Sequence, residues 1–229
     1  MRVSVIVFPG SNCDRDVAVS LKKFSNKSPL MIWHKETSLP DSDLIVLPGG
    51  FSYGDYLRCG SMAANSPIMK EVKKSAEKGS SILGICNGFQ ILTESGLLPG
   101  TLIRNQGLSF ICKNTSLKVE NDKSFFTHNY NKNEVVNIPI AHNEGNYFAD
   151  ENVIKDIEDK NLVVFRYCNK NGDINEETNP NGSLKNIAGI INEKGNVLGM
   201  MPHPERATDD ITGLNDGEKF FTSIIESIK

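Results

Sequence analysis

Residues 81–94 constrain the fold more than any other stretch. A short apolar run, Ser81-Ile82-Leu83-Gly84-Ile85, passes through Cys86-Asn87-Gly88 straight into a helix-compatible segment at 89–94, which Gly96 stops. A chain that turns from strand to helix within two residues must take a sharp, strained path. Glycines two positions either side of the turning residue let neighbouring backbone pass close by. In an open α/β sheet such a turn lies at the carboxyl end of a strand, where sites are built. The Gly84-Ile85-Cys86-Asn87-Gly88 pattern therefore makes Cys86 a candidate nucleophile at a helix N-terminus, whose N–H groups favour a thiolate. Alone, the five residues equally describe a core thiol between turn glycines.

The surrounding pattern agrees with an α/β layout. Residues 2–8 form a β-rich apolar run ended by Pro9-Gly10, and residues 14–24 carry Val17, Leu21 and Phe24 at helical spacing. Residues 30–34 and 43–47 are further strands. Residues 67–78 form a helix, with Ser66 as N-cap, Pro67 at the first position and Gly79 past the end. This alternation predicts βαβ units and a mostly parallel sheet flanked by helices, with flavodoxin-like layering. The second half differs. Residues 110–120, 135–140, 162–167, 187–191 and 197–201 look like strands, the last two joined by a hairpin-like turn at 192–196, which predicts an antiparallel extension. Residues 170–185, polar and rich in Asn, predict a surface loop, and residues 218–228 a closing helix. No repeat or low-complexity linker divides residues 1–229, so one domain is expected.

Charge and cysteine usage exclude several function classes. A formal charge of -3 and no basic patch argue against nucleic acid or an anionic membrane as partner, and the apolar runs are too short to span a bilayer. Five cysteines with no CxxC pair suggest free thiols in a reducing, cytoplasmic compartment. Cys13, Cys59, Cys112 and Cys168 lack the setting of Cys86 and are expected to be structural.

Cysteine chemistry needs a base and a group to orient it. Of four histidines, His34 follows Met31-Ile32-Trp33 and is expected to be packed or on the surface, and His128 falls in a polar loop. His142 stands where a strand enters a Gly-containing loop and could line a pocket. His203 lies in Met201-Pro202-His203-Pro204-Glu205, where two prolines restrict the backbone. An extended path would point Glu205 the same way as His203, so that the carboxylate accepts the Nδ1–H and Nε2 faces the thiol. A zinc site would want three or four ligands in short paired spacings, and none is present, so no metal is expected.

With those residues in place, the sequence resembles the class I (triad) glutamine amidotransferases. Within them it is most similar to the glutaminase subunits of phosphoribosylformylglycinamidine synthases, which act in purine biosynthesis. The resemblance rests on residues 7–14 and on Leu47-Pro48-Gly49-Gly50-Phe51-Ser52-Tyr53-Gly54-Asp55-Tyr56-Leu57-Arg58. It rests equally on the Cys86 turn through Phe89-Gln90, on Ala141-His142-Asn143-Glu144-Gly145 and on residues 199–206. Pro-Gly-Gly, the cysteine turn and His-x-Glu are shared widely in the class, whereas Phe-Ser-Tyr-Gly-Asp with Pro-His-Pro-Glu-Arg narrows it. Asn143 and Cys59 stand where the resemblance leads one to expect glycine and alanine.

The resemblance implies hydrolysis of glutamine to glutamate and ammonia through Cys86, His203 and Glu205. Backbone N–H groups of Asn87 and of Gly49 or Gly50 would hold the oxyanion, and Phe51, Gln90 and His142 would contact substrate. It also implies that this chain needs no cofactor. No ATP-binding loop is visible in it, so ATP and magnesium belong to a larger synthetase partner, joined by a small third subunit. Alternatives are an amidotransferase serving another synthetase, a cysteine hydrolase of similar fold (where histidine would commonly follow the cysteine in place of Asn87), or a scaffold without activity.

Overall fold

A computed structural model describes residues 1–55, 58–209 and 213–228. Tyr56 and Leu57, in the middle of the distinctive 47–58 segment, lie outside the described residues. In chain order, β1 (Val3–Val7) leads to α1 (Asp14–Ser25), β2 (Leu30–Trp33), β3 (Leu44–Leu47), α2 (Cys59–Ala64), α3 (Ile68–Glu77), β4 (Ser81–Ile85) and α4 (Asn87–Glu94). Strands then dominate: β5 (Thr101–Ile103), β6 (Ile111–Val119), β7 (Val135–His142) and β8 (Asn146–Phe148). The remaining elements are α5 (Glu151–Asp159), β9 (Val163–Cys168), β10 (Ile187–Ile191), β11 (Val197–Met200) and α6 (Glu218–Ser227).

The main sheet runs β2-β1-β3-β4-β11-β10-β9-β6-β7. From β2 to β11 neighbouring strands are parallel, and from β11 to β7 every pairing is antiparallel. The anticipated mostly parallel sheet with an antiparallel extension is therefore present, hinged on β11. All residues of β3, β4 and β11 are buried. Since successive side chains point to opposite faces, both faces of this region must be covered. α1 pairs with α6, with Phe24 stacked on Phe221 at 5.6 Å, while α2 packs on α4, which rests on β3, β4 and β11. By contrast β7 alternates buried and half-buried residues along its length, the signature of a sheet with one wetter face.

Several expectations need correction. Ser66 is not a side-chain cap: α3 begins at Ile68 behind Pro67, and the Ser66 hydroxyl bonds His34 Nδ1 at 3.0 Å and the Tyr53 hydroxyl at 3.1 Å. The tertiary partners outcompete the local N–H. Residues 170–185 are only partly a surface loop. They hold the short helical turn Glu176–Thr178, closed by a capping box on Asn175, and then dive inward so that Asn181 and Ser183 are 1 % exposed. The helix α2 and the strand pair β5–β8 carry no clear period in the sequence, and α5, with Val153, Ile154 and Ile157 at helical spacing, is not among the expected elements. No helix among the described residues is long and apolar enough to cross a membrane.

Candidate active site

The site begins where β4 ends. Cys86 has φ 52° and ψ -107°, and Asn87 opens α4. This is the strained turn anticipated from Gly-x-Cys-x-Gly, and the glycines have identifiable neighbours. A Cβ on Gly84 would stand 2.5 Å from Leu92 Cδ1, and one on Gly88 would run into the Leu47 carbonyl oxygen. The turn thus closes only because β3 and α4 touch backbone to backbone.

Strand register then brings the histidine in. Met200 of β11 is paired with Ile85 of β4, and the Cys86 N–H donates to the Met200 carbonyl at 2.8 Å. The segments leaving the two strands therefore start side by side. His203 follows three residues after Met200, its N–H bonded to the Pro139 carbonyl at 2.8 Å. Gly49 measures the gap between the two groups: a Cβ there would lie 2.8 Å from His203 Cε1 and 2.9 Å from Cys86 Cβ. Only a glycine lets the β3 loop lie against both.

The His203–Glu205 pair forms, though not along an extended path. Pro204–Arg206 is a 3-10 turn, and within it Glu205 Oε1 accepts from His203 Nδ1 at 2.7 Å. His203 and Glu205 are 1 % and 5 % exposed. Nε2 of His203 makes no hydrogen bond of normal geometry among the described residues. Burial disfavours its charge, but the Glu205 carboxylate, followed by the Cys86 and Cys13 sulfurs, holds the imidazole pKa well above the ordinary histidine range. The ring is thereby fixed as a proton holder with one nitrogen on a carboxylate and the other free to work.

His142 is set up differently. Asn105 Oδ1 accepts from its Nδ1 at 3.0 Å and Asn181 Nδ2 faces its Nε2 at 3.5 Å. Burial and the His203 charge push its pKa down to about 4. It is a neutral wall of the pocket, not a base. His34 is packed against Tyr53 and Ser66, and His128 faces Glu226 at the surface.

Gly50, Phe51, Cys86, Asn87, Gln90, His142 and His203 line one cavity, so sequence reasoning located most of its wall. Glu205 stands behind His203, outside the lining, and Gly49 against Cys86. Phe51 is 48 % exposed and stacks on Phe110 at 6.0 Å across the cavity mouth. Gln90 spends its amide on the protein: Nε2 donates to the Glu144 carbonyl at 2.7 Å, while Oε1 accepts from Asn87 Nδ2 at 2.9 Å.

Asn12, Cys13, Asp55, Phe110, Ala141 and Arg206 also line the wall and escaped the sequence reading. Cys13, expected to be structural, lies beside His203, and Arg206 Nη2 donates to its sulfur at 3.2 Å. Burial raises the Cys13 thiol pKa, so it is a neutral neighbour in the site. Asp55 accepts from Asn87 Nδ2 at 3.0 Å. The available signals were a Pro-Gly turn ahead of Cys13 and an arginine directly after the His-x-Glu, neither of which specifies a partner. One ligand atom each from Cys13, His203 and Glu205 falls within 4.8 Å, a set whose chemistry would suit zinc. Glu205 Oε1, however, is already hydrogen-bonded to His203 Nδ1 at 2.7 Å, so this oxygen and this nitrogen are spent on each other.

Comparison with known proteins places this site in a family. A model of the CobB/CobQ-like glutamine amidotransferase domain matches residues 1–217. Phosphoribosylformylglycinamidine synthase subunit PurQ of Pelagibacter ubique is 56 % identical over all of both chains, and that of Gloeobacter violaceus 53 % over 99 % of this chain and 98 % of the other. Among solved structures, PurLQS from Thermotoga maritima superposes with a TM-score of 0.86 at 45 % identity, covering 100 % of this chain and 99 % of that one. The glutaminase domain of Trypanosoma brucei CTPS with bound acivicin, 12 % identical, covers 100 % of this chain and 93 % of that one, and shares the fold at a TM-score of 0.63. The chain belongs to the phosphoribosylformylglycinamidine synthase subunit PurQ family, within the CobB/CobQ-like glutamine amidotransferases.

Proposed function

We propose that this protein is the glutaminase subunit of a phosphoribosylformylglycinamidine synthase, hydrolysing glutamine to glutamate and ammonia for a synthetase partner. The observation that carries the chemistry is His203, whose Nδ1 is bonded to Glu205 at 2.7 Å and whose ring lies, with Cys86, against Gly49. In this reading the Cys86 sulfur attacks the γ-amide carbonyl of glutamine. The oxyanion is held by the first N–H groups of α4, beginning with Asn87, and by an N–H of the Gly49-Gly50 turn. His203 Nε2 gives its proton to nitrogen as the C–N bond breaks, and ammonia leaves a γ-glutamyl thioester. The same nitrogen then takes a proton from water, whose oxygen attacks the thioester and returns Cys86 and glutamate. Glu205 keeps the imidazole in one tautomer and orientation throughout. Phe51 and His142 form walls for the substrate. Gln90, whose own amide is engaged, bears on substrate chiefly by holding the residue 144 carbonyl in place.

The acyl transfer needs no cofactor on this chain. ATP and magnesium are assigned to the partner synthetase, with a small third subunit completing a cytoplasmic complex, and residues 1–229 act as one amidotransferase domain. Family membership and the three-part name of the Thermotoga assembly support this division of labour. Reconstitution with a synthetase subunit tests it. Cys86→Ala is expected to abolish glutamine-driven amidine formation and leave ammonia-driven formation near the parental rate. Equal loss of both would overturn the role given to Cys86.

A further inference from the structure

The residue after the nucleophile has a buried side chain that catalysis by backbone N–H groups does not use. Asn87 is 2 % exposed, and its amide joins two parts of the site. Oδ1 accepts the Ser52 N–H at 3.1 Å, while Nδ2 faces Asp55 Oδ1 at 3.0 Å and Gln90 Oε1 at 2.9 Å. Gln90 in turn reaches the Glu144 carbonyl at 2.7 Å. The β3 loop, the cysteine turn and the β7–β8 loop are thus chained through two side-chain amides one helical turn apart.

What the chain restrains is a backbone that would not stay put alone. Tyr53 and Asp55 are non-glycine residues at φ 54° and 52°, with Gly54 between them at 80°. Such conformations persist only where surrounding contacts over-determine them. Local turns hold part of it, the Ser52 N–H to the Gly50 carbonyl and the Gly54 N–H to the Phe51 carbonyl. From outside come the Tyr53 N–H to the Pro9 carbonyl, the Tyr53 hydroxyl to His34 and Ser66, the Cys59 thiol to Asp55, and the Asn87 amide gripping both ends of residues 52–55. The same loop carries Gly50 and Phe51 beside Cys86.

We propose that the Asn87 side chain is a latch that holds residues 51–55 over the nucleophile, making it a positioning residue for glutamine turnover. The inference rests on the glutaminase reading above and adds to it a specific reason for asparagine at this position. An aspartate there would still accept the Ser52 N–H but would set one carboxylate against that of Asp55. Placing asparagine at 55 would then restore a donor and an acceptor in reversed order.

In the complex with a synthetase subunit, Asn87→Asp is expected to lower glutamine turnover about a hundredfold, the scale of a misplaced oxyanion donor. It should also raise KM for glutamine and speed chymotryptic cleavage after Phe51 or Tyr53. Iodoacetamide, which needs no oxyanion donor, should alkylate Cys86 at about the parental rate. Adding Asp55→Asn should recover about tenfold of the lost turnover and slow the cleavage again. A double variant no better than Asn87→Asp in either measurement would overturn the latch, as would alkylation falling in step with turnover. An unaltered complex that released no glutamate would instead overturn the glutaminase reading, and the cleavage rates would still decide whether the latch exists.

Discussion

The two halves of the sheet contribute to the site in different ways. β1, β3, β4 and β11 run parallel, are buried along most of their length, and end on the same side, so loops leaving them converge. Cys86, the Gly49-Gly50 turn, Cys13 and His203 all come from there. β6, β7, β9 and β10 are antiparallel, and what they bring is enclosure: the His142 loop, pinned by Asn105 from the segment after β5 and Asn181 from the segment before β10. Cys86 sits on the half whose position is set by backbone register, while the His142 wall comes from the half held by side-chain amides. β11 belongs to both, parallel to β4 and antiparallel to β10, and His203 follows it.

Breaking that seam should have the largest effect. Glu205→Gln keeps the volume but removes the charge that holds the His203 proton, and glutamine turnover should fall about a thousandfold with the melting transition retained. Turnover near the parental value would mean that Glu205 does not orient the base.

The parallel half should prove intolerant at its closest contact. Gly88→Ala drives a methyl into the Leu47 carbonyl, backbone against backbone, and should cost about 3 kcal/mol or more in denaturant unfolding. A loss below about 1 kcal/mol would show that the β3–α4 contact relaxes easily.

The antiparallel half should be acid-sensitive. His142 is buried neutral, with a folded pKa of about 4 against an ordinary 6.5. Its contribution is complete above pH 6.5 and is lost as pH falls toward 4, about 2 kcal/mol of it by pH 5. His142→Gln should lack that share when unfolding free energies near neutrality and near pH 5 are compared. An identical acid loss in the variant would place the sensitivity elsewhere.

Some of this was legible at the level of residues. The strands at 81–85 and 187–191 have the bounds their composition indicates, since parallel and central strands are uninterrupted apolar runs. α5 carries Val153, Ile154 and Ile157 at helical spacing, but so few apolar positions in nine residues let it pass for a polar connection. The segment 170–185 misled because asparagine looks like loop, while Asn181 is buried as a hydrogen-bonding strut. Composition cannot separate a solvated amide from a satisfied one.

What sequence alone determined is the local mechanics around Cys86. Gly84 and Gly88 at fixed spacing leave the chain one compact way from strand to helix, and Pro202 and Pro204 narrow the backbone either side of His203. Pro-His-Pro-Glu singled out His203 in the sequence, but what each ring nitrogen meets was set by tertiary structure. His142 and His203 are both buried at strand ends, yet one is held by two amides as a neutral wall and the other by a carboxylate as a proton carrier. Tertiary structure alone also showed that Asn87 faces Ser52, Asp55 and Gln90, through contacts spanning up to 35 positions of chain that no local pattern encodes. The Cys86 turn was thus readable by itself, and the restraint on the loop above it was not.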